Sequence, residues 1–141
     1  MKEIKRIASK VRHWAKNRDD CYQDLWGWCG VCSVKIFKEL QKIGKNPEFV
    51  MIKKEHVRSS HCIVICDGYI IDVTATQFGN DRAVNVIPVV HIDSGKYNFW
   101  YWDYQSAFFI GSDINIIKTK FKSWSDRQNP FIGKGLEKDC K

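Results

Sequence analysis

The stretch HCIVICDGYIIDVT, residues 61–74, decides how this chain folds. Asp67-Gly68 stands between two apolar runs and signals a two-residue hairpin turn. With that turn in place, Cys66 pairs with Tyr69, Ile63 faces Asp72 and His61 faces Thr74. Side chains alternate along a strand, so His61, Ile63, Ile65, Ile70, Asp72 and Thr74 share one face. His61 and Asp72 become diagonal neighbours, with Cβ atoms about 5–8 Å apart. A carboxylate at that range can hold an imidazole in one tautomer and stabilise its charged form.

Upstream lies LWGWCGVCS, residues 25–33. The segment 29–43 reads as a helix with Ile36, Phe37, Leu40 and Ile43 as its apolar ridge. Gly44 and then Pro47 signal its end. Cys29 therefore falls at a helix N-terminus, where unpaired N–H groups and the dipole favour a thiolate. Cys32, one turn further in, reads as buried packing. A thiolate nucleophile needs a histidine and a group to orient it. Catalysis needs the face carrying His61 and Asp72 turned toward this helix start. His13 on a basic helix and His56 in a charged stretch read as solvated. His61 is thus the best candidate base.

The rest of the chain frames these elements. Residues 2–17 form an amphipathic helix, with Ile4, Ile7, Val11 and Trp14 on one stripe and Lys2, Arg6, Lys10 and Lys16 mostly off it. Residues 18–28 read as a loop. Strands are expected at 48–54, 61–66, 69–74, 84–91 and 97–103, and 113–122 fits strand or helix. The aromatic run from Phe99 to Tyr104 reads as packing, and the polar tail 123–141 as loose. Helices first and strands after imply one α+β domain spanning 1–141, with a largely antiparallel sheet and a functional core at about 20–110.

Composition narrows the function classes. The chain has 141 residues, 44% apolar and 28% charged, which suits a soluble globular domain. No apolar run approaches the roughly 20 residues needed to span a membrane. The N-terminal apolar residues are interrupted by charges, unlike a signal peptide, so a cytoplasmic location is expected. A net charge of +7 favours acidic partners. The basic residues are scattered and no RNP, zinc-finger or helix-turn-helix pattern occurs, which argues against nucleic acid. Six cysteines stand at 21, 29, 32, 62, 66 and 140, read as free thiols. Cys62 and Cys66 would lie about 13 Å apart along one strand, too far for a shared zinc ion with Cys29 and Cys32.

A second reading attaches to the same residues. Trp28-Cys29-x-x-Cys32 matches a thioredoxin-like thiol-disulfide motif, and Ile87-Pro88 looks like that family's proline opposite the cysteines. That motif follows a buried strand, whereas KNRDDCYQDLWG precedes it here.

GWCGVCSVKIFKELQKIG followed by HCIVICDGYIIDVTATQF resembles the transglutaminase-like, broadly papain-like superfamily of cysteine enzymes. Gly27 precedes Cys29, Ser33 is the small residue four positions on, Gly44 ends the helix, and His61 and Asp72-Val73-Thr74 follow in order. The likeness covers about residues 25–79. Ile63 stands where an aromatic is usual, and Val73 where a proline is usual. The DVTATQF segment looks especially like small bacterial and phage members and glutamine-deamidase effectors. The resemblance implies a nucleophile-bearing helix packed on an antiparallel sheet, with a Cys29–His61–Asp72 triad and no metal or organic cofactor. It further implies an oxyanion-hole glutamine six residues before the nucleophile, which is Gln23. The expected reaction is hydrolysis, deamidation or amine transfer at a glutamine side chain or peptide bond of a protein substrate, through a thioester. A catalytically silent binding or effector domain with a basic surface remains the third reading.

Overall fold

The computed structural model describes residues 1–17, 28–53, 60–78, 83–89, 109–120 and 122. Gln23, Cys21, Cys140, His56, His91, the strand expected at 97–103, the aromatic run and the tail lie outside the described residues. Among those described, the order is α1 (Lys2–Lys16), α2 (Cys29–Lys42), β1 (Glu48–Lys53), β2 (Ser60–Cys66), β3 (Tyr69–Asp72), a 3-10 turn (Ala75–Phe78), β4 (Asn85–Pro88), β5 (Phe109–Gly111) and α3 (Ile114–Lys120). The fold is α+β. Its sheet is antiparallel, ordered β4-β3-β2-β1-β5.

The hairpin forms in the expected register, with Cys66 opposite Tyr69, Ile65 opposite Ile70 and Val64 opposite Ile71. Asp67 and Gly68 take φ of 52° and 80°, the left-handed pair that such a turn requires. The ladder then stops at Val64–Ile71, although β2 runs back to Ser60 and β3 on to Asp72. Thr74 is therefore not paired with His61 as a strand residue. β3 is shorter than the expected 69–74, because Thr74 turns to bond the Asp72 carboxylate instead.

Alternation gives the sheet two buried faces. Phe49, Met51, Cys62, Val64, Cys66, Ile71 and Val73 join one apolar core with Ile4, Val11, Phe37 and Leu40 from α1 and α2. Val50, Ile63, Ile70 and Ile87 are buried on the other face, with His61 and Asp72. The expectation that the His61 face turns toward the helices is thus corrected: α1 and α2 cover the Cys62 face. Val64, Cys66 and Ile71 present an apolar surface to α2, whereas the opposite face carries His61 and Asp72 at one end.

Both ends of α2 are fixed. Gly44, at φ 82°, closes a Schellman motif: its N–H donates to the Gln41 carbonyl at 3.0 Å, and the Lys45 N–H to that of Leu40 at 3.1 Å. Lys45 then pairs with Asp67 in the β2–β3 turn at 2.7 Å. At the other end Trp28 is the N-cap residue, and its ring meets Trp14 of α1 edge to face at 6.2 Å. The ambiguous 113–122 segment is a helix over Ile114–Lys120, started by Asp113, whose carboxylate accepts the Asn115 N–H at 2.8 Å. β5 was not anticipated from the sequence. No helix among the described residues is long and apolar enough to cross a membrane.

Candidate active site

The site is built where β2 and β3 part company. Because the ladder between them ends at Val64–Ile71, His61 and Cys62 pair with Ile52 and Met51 of β1 but not with β3. Cys29, the first residue of α2, lies beside this end of β2. Cys29 is buried beside His61 and Cys62, and both favour its thiolate, Cys62 most.

His61 is held on its far side. Its Nε2 lies 2.6 Å from Asp72 Oδ2, with both side chains 1% exposed. The other Asp72 oxygen, Oδ1, accepts the Thr74 backbone N–H at 2.9 Å and the Thr74 hydroxyl at 3.3 Å. Asn85 Nδ2 donates to the Asp72 carbonyl at 3.3 Å from β4. Arg12 of α1 clips the following segment, donating to the Val73 carbonyl at 2.8 Å and to Thr76 Oγ1 at 3.0 Å. The carboxylate is therefore fixed by backbone and side-chain donors, and fixes the imidazole in turn.

The electrostatics follow from this wiring. The hydrogen bond from the Cys62 thiol lowers the Cys29 pKa well below the ordinary thiol value. Burial opposes the shift, and the hydrogen bond and charge of His61 add to it. The first-turn N–H groups of α2, which precede its first intrahelical bond from the Cys32 N–H to the Trp28 carbonyl at 2.9 Å, favour the same anion. Burial works against a charged His61, but the charge and hydrogen bond of Asp72, then those of Cys29, raise its pKa to about 10. Burial pushes the Cys62 thiol well above its ordinary value, and the Cys29 anion beside it adds to this. The shifts act together in favour of a Cys29 thiolate beside a charged His61, with the Cys62 proton retained.

The structure brings Cys29, His61 and Asp72 together, as the sequence spacing predicts. Cys32 is 1% exposed within the core. Cys29, Cys32, Cys62 and Cys66 are all free thiols. Pro88 pairs with Tyr69 at the hairpin end of the sheet, whereas Asp72, at the site end, pairs with Asn85. Three residues of strand, about 10 Å, separate those two levels, so Pro88 is not placed opposite Cys29 as the thioredoxin-like reading needs. His13 is exposed on α1. Among the described residues no group of three or more His, Cys, Asp or Glu side chains is arranged to hold a metal ion.

Thr74, Asn85, Arg12 and Cys62 were given no role from sequence. Thr74 carries a readable signal, since a Thr two residues after an Asp can bond back to its carboxylate. Asn85 and Arg12 act from elements remote in sequence and carry none. Cys62 enters the sequence reading only as a strand thiol too far from Cys66 to share a zinc ion. No protein-family model, curated protein or solved structure matches this chain.

Proposed function

We propose that this protein is a cysteine-dependent hydrolase or acyltransferase acting on an amide, a glutamine side chain or a peptide bond, on a transglutaminase-like (papain-like) scaffold. The observation that carries the reading is the buried His61 Nε2–Asp72 Oδ2 contact at 2.6 Å. Beside it Cys29 is lowered in pKa, in part by His61, and the imidazole is raised.

The chemistry follows in order. The Cys29 thiolate attacks the amide carbon; the C–S bond forms and the carbonyl π pair moves to oxygen. The Cys29 N–H at the helix start and, as the papain-like resemblance implies, Gln23 donate to that oxyanion, each such donor being worth about 3–4 kcal/mol. The tetrahedral intermediate collapses, the C–N bond breaks and the His61 imidazolium gives its proton to the leaving nitrogen. Neutral His61 then takes a proton from water or an amine as either attacks the thioester, and Cys29 leaves again as the thiolate. Asp72 stabilises the imidazolium throughout and makes no bond to substrate.

Incubation with a panel of glutamine-containing acidic peptides tests this, with released ammonia and intact mass as readouts. The expected result is an acyl adduct on Cys29 that hydroxylamine removes, absent in Cys29→Ser and trapped or slowed in His61→Ala. A reactive Cys29 that forms no adduct with any amide would leave the binding-domain reading. A Cys29–Cys32 disulfide of low reduction potential would favour the thiol-disulfide reading.

A further inference from the structure

A cavity of about 390 Å³ opens between α1 and β4, lined by Lys5, Ser9, Val84 and Val86. The amide chemistry makes no use of it. Its walls differ in kind. Lys5 and Ser9, both exposed, lie one helical turn apart on α1 and offer an ammonium and a hydroxyl. Val84 and Val86, just before and within β4, are half-buried and pack against the apolar core. The charge continues past the cavity. Lys2, Arg6 and Lys10 are exposed on the same helix, whose single acid is Glu3. Among the described residues no carboxylate is ion-paired with Lys2, Lys5, Arg6 or Lys10. From Lys2 to Lys10 the helix rises about 12 Å.

We propose that this cavity and the cationic face of α1 form a docking site for an acidic segment of the polypeptide substrate. One aliphatic side chain of that segment seats on Val84 and Val86, and its carboxylates meet Lys5 and the neighbouring cations. The inference rests on the reading of the substrate as an amide-bearing polypeptide, not on which amide is attacked. Charge complementarity selects the occupant. A chain of carboxylates follows a cationic helix face of this length, whereas one small anion in the cavity meets Lys5 and leaves Lys2, Arg6 and Lys10 outside. The position fits the same role. Val86 stands opposite Ile71, and its neighbour Asn85 stands opposite Asp72 and donates to its carbonyl. On the other wall Arg12, one turn past Ser9, bonds the Val73 carbonyl and Thr76. Both walls thus lead into the segment that carries and follows Asp72, on the side of the sheet that α2 covers.

The test reads binding without turnover. Full-length Cys29→Ser is titrated into a fluorescein-labelled glutamate-rich peptide with one central leucine, and anisotropy is followed at about 0.05 M salt. Lys5→Glu is compared with Lys118→Glu, which makes the same change of charge at an exposed position of α3. The expected result is binding about fivefold weaker or more for Lys5→Glu and less than about twofold weaker for Lys118→Glu. Exchanging the peptide's leucine for glycine should weaken binding about fivefold. Carbodiimide cross-linking should join the peptide's carboxylates to Lys2, Lys5 or Lys10. Equal losses in the two variants would mean attraction by net charge alone, an indifferent leucine would empty the cavity of its role, and cross-links confined to other elements would move the site. Each of these overturns the proposal and leaves the Cys29 chemistry standing. A Cys29 that forms no acyl adduct leaves the binding result unchanged, so the two failures are distinct.

Discussion

His61 is the residue on which the site turns, because Asp72 and Cys29 both raise its pKa against the effect of burial. Its pKa is raised, so the stabilisation from its charge is full below the ordinary value of 6.5 and is lost as pH rises toward about 10. Cys29 runs the other way: its pKa is lowered, so its contribution is present above the ordinary value of 9.0 and is lost as pH falls through the folded value. Turnover needs both charges and should show a broad plateau between an acid limb from Cys29 and an alkaline limb near 10 from His61. Asp72→Asn removes the largest influence raising the histidine. The alkaline limb should move down toward neutrality, with a smaller loss of rate than Cys29→Ser gives; an unmoved limb would mean that Asp72 does not set the imidazole. Iodoacetamide at about pH 6, where an ordinary thiol is almost wholly protonated, should label Cys29 ahead of Cys32, Cys62 and Cys66. Peptide mapping checks the order, and preferential labelling of Cys32 would reassign the nucleophile.

At the scale of elements, the hairpin and α2 are legible because their punctuation is local. Asp67-Gly68 and Gly44 each supply a positive φ that few other residues tolerate. Substituting Gly68 by alanine adds a Cβ that meets nothing within 4 Å, so its cost is backbone strain alone. That should be about 1 kcal/mol, read as a lower urea midpoint at unchanged slope. The shortened β3, by contrast, could not be read from alternation: Val73 and Thr74 continue the strand pattern, and only the competing bond from Thr74 to the Asp72 carboxylate ends it. The short β5 offers three residues, too few to establish a period. Arg12 shows the same limit from another side. Its anchoring of Val73 and Thr76 spans more than sixty positions and leaves no local trace. Arg12→Ala should cost about 1–3 kcal/mol, since it strips charged donors from a part-buried carbonyl and hydroxyl. Chemical denaturation measures it, and a change below a few tenths would make the clip ornamental.

For the whole molecule, the sequence specified which residues meet but not how the layers arrange them. Alternation correctly put His61 and Asp72 on one face. It could not say that α1 and α2 would cover the other, since both faces are apolar enough to be buried. The splayed end of the β2–β3 ladder, where Cys29 enters, is a tertiary event with no sequence marker. Charge acts at this scale as well. With a net charge of +7, association with an acidic peptide should weaken as salt screens the field. KM should rise several-fold between about 0.02 and 0.5 M salt while kcat stays level, and a salt-independent KM would argue for an uncharged recognition surface.

The fixing of α2 at both ends makes that helix a ruler. Its far end is locked by Gly44 and by the Lys45–Asp67 pair to the very turn that sets the register of His61. Its near end delivers the sulfur to the splayed strands. Each residue of helix adds about 1.5 Å and turns the end by about 100°. One inserted residue would therefore swing the sulfur away from His61 while leaving the hairpin untouched. Length variation in this protein can accumulate in the connections around the helix, but the fourteen residues from Cys29 to Lys42 are a measured distance, and a gain or loss of one would disconnect the chemistry before it undid the fold.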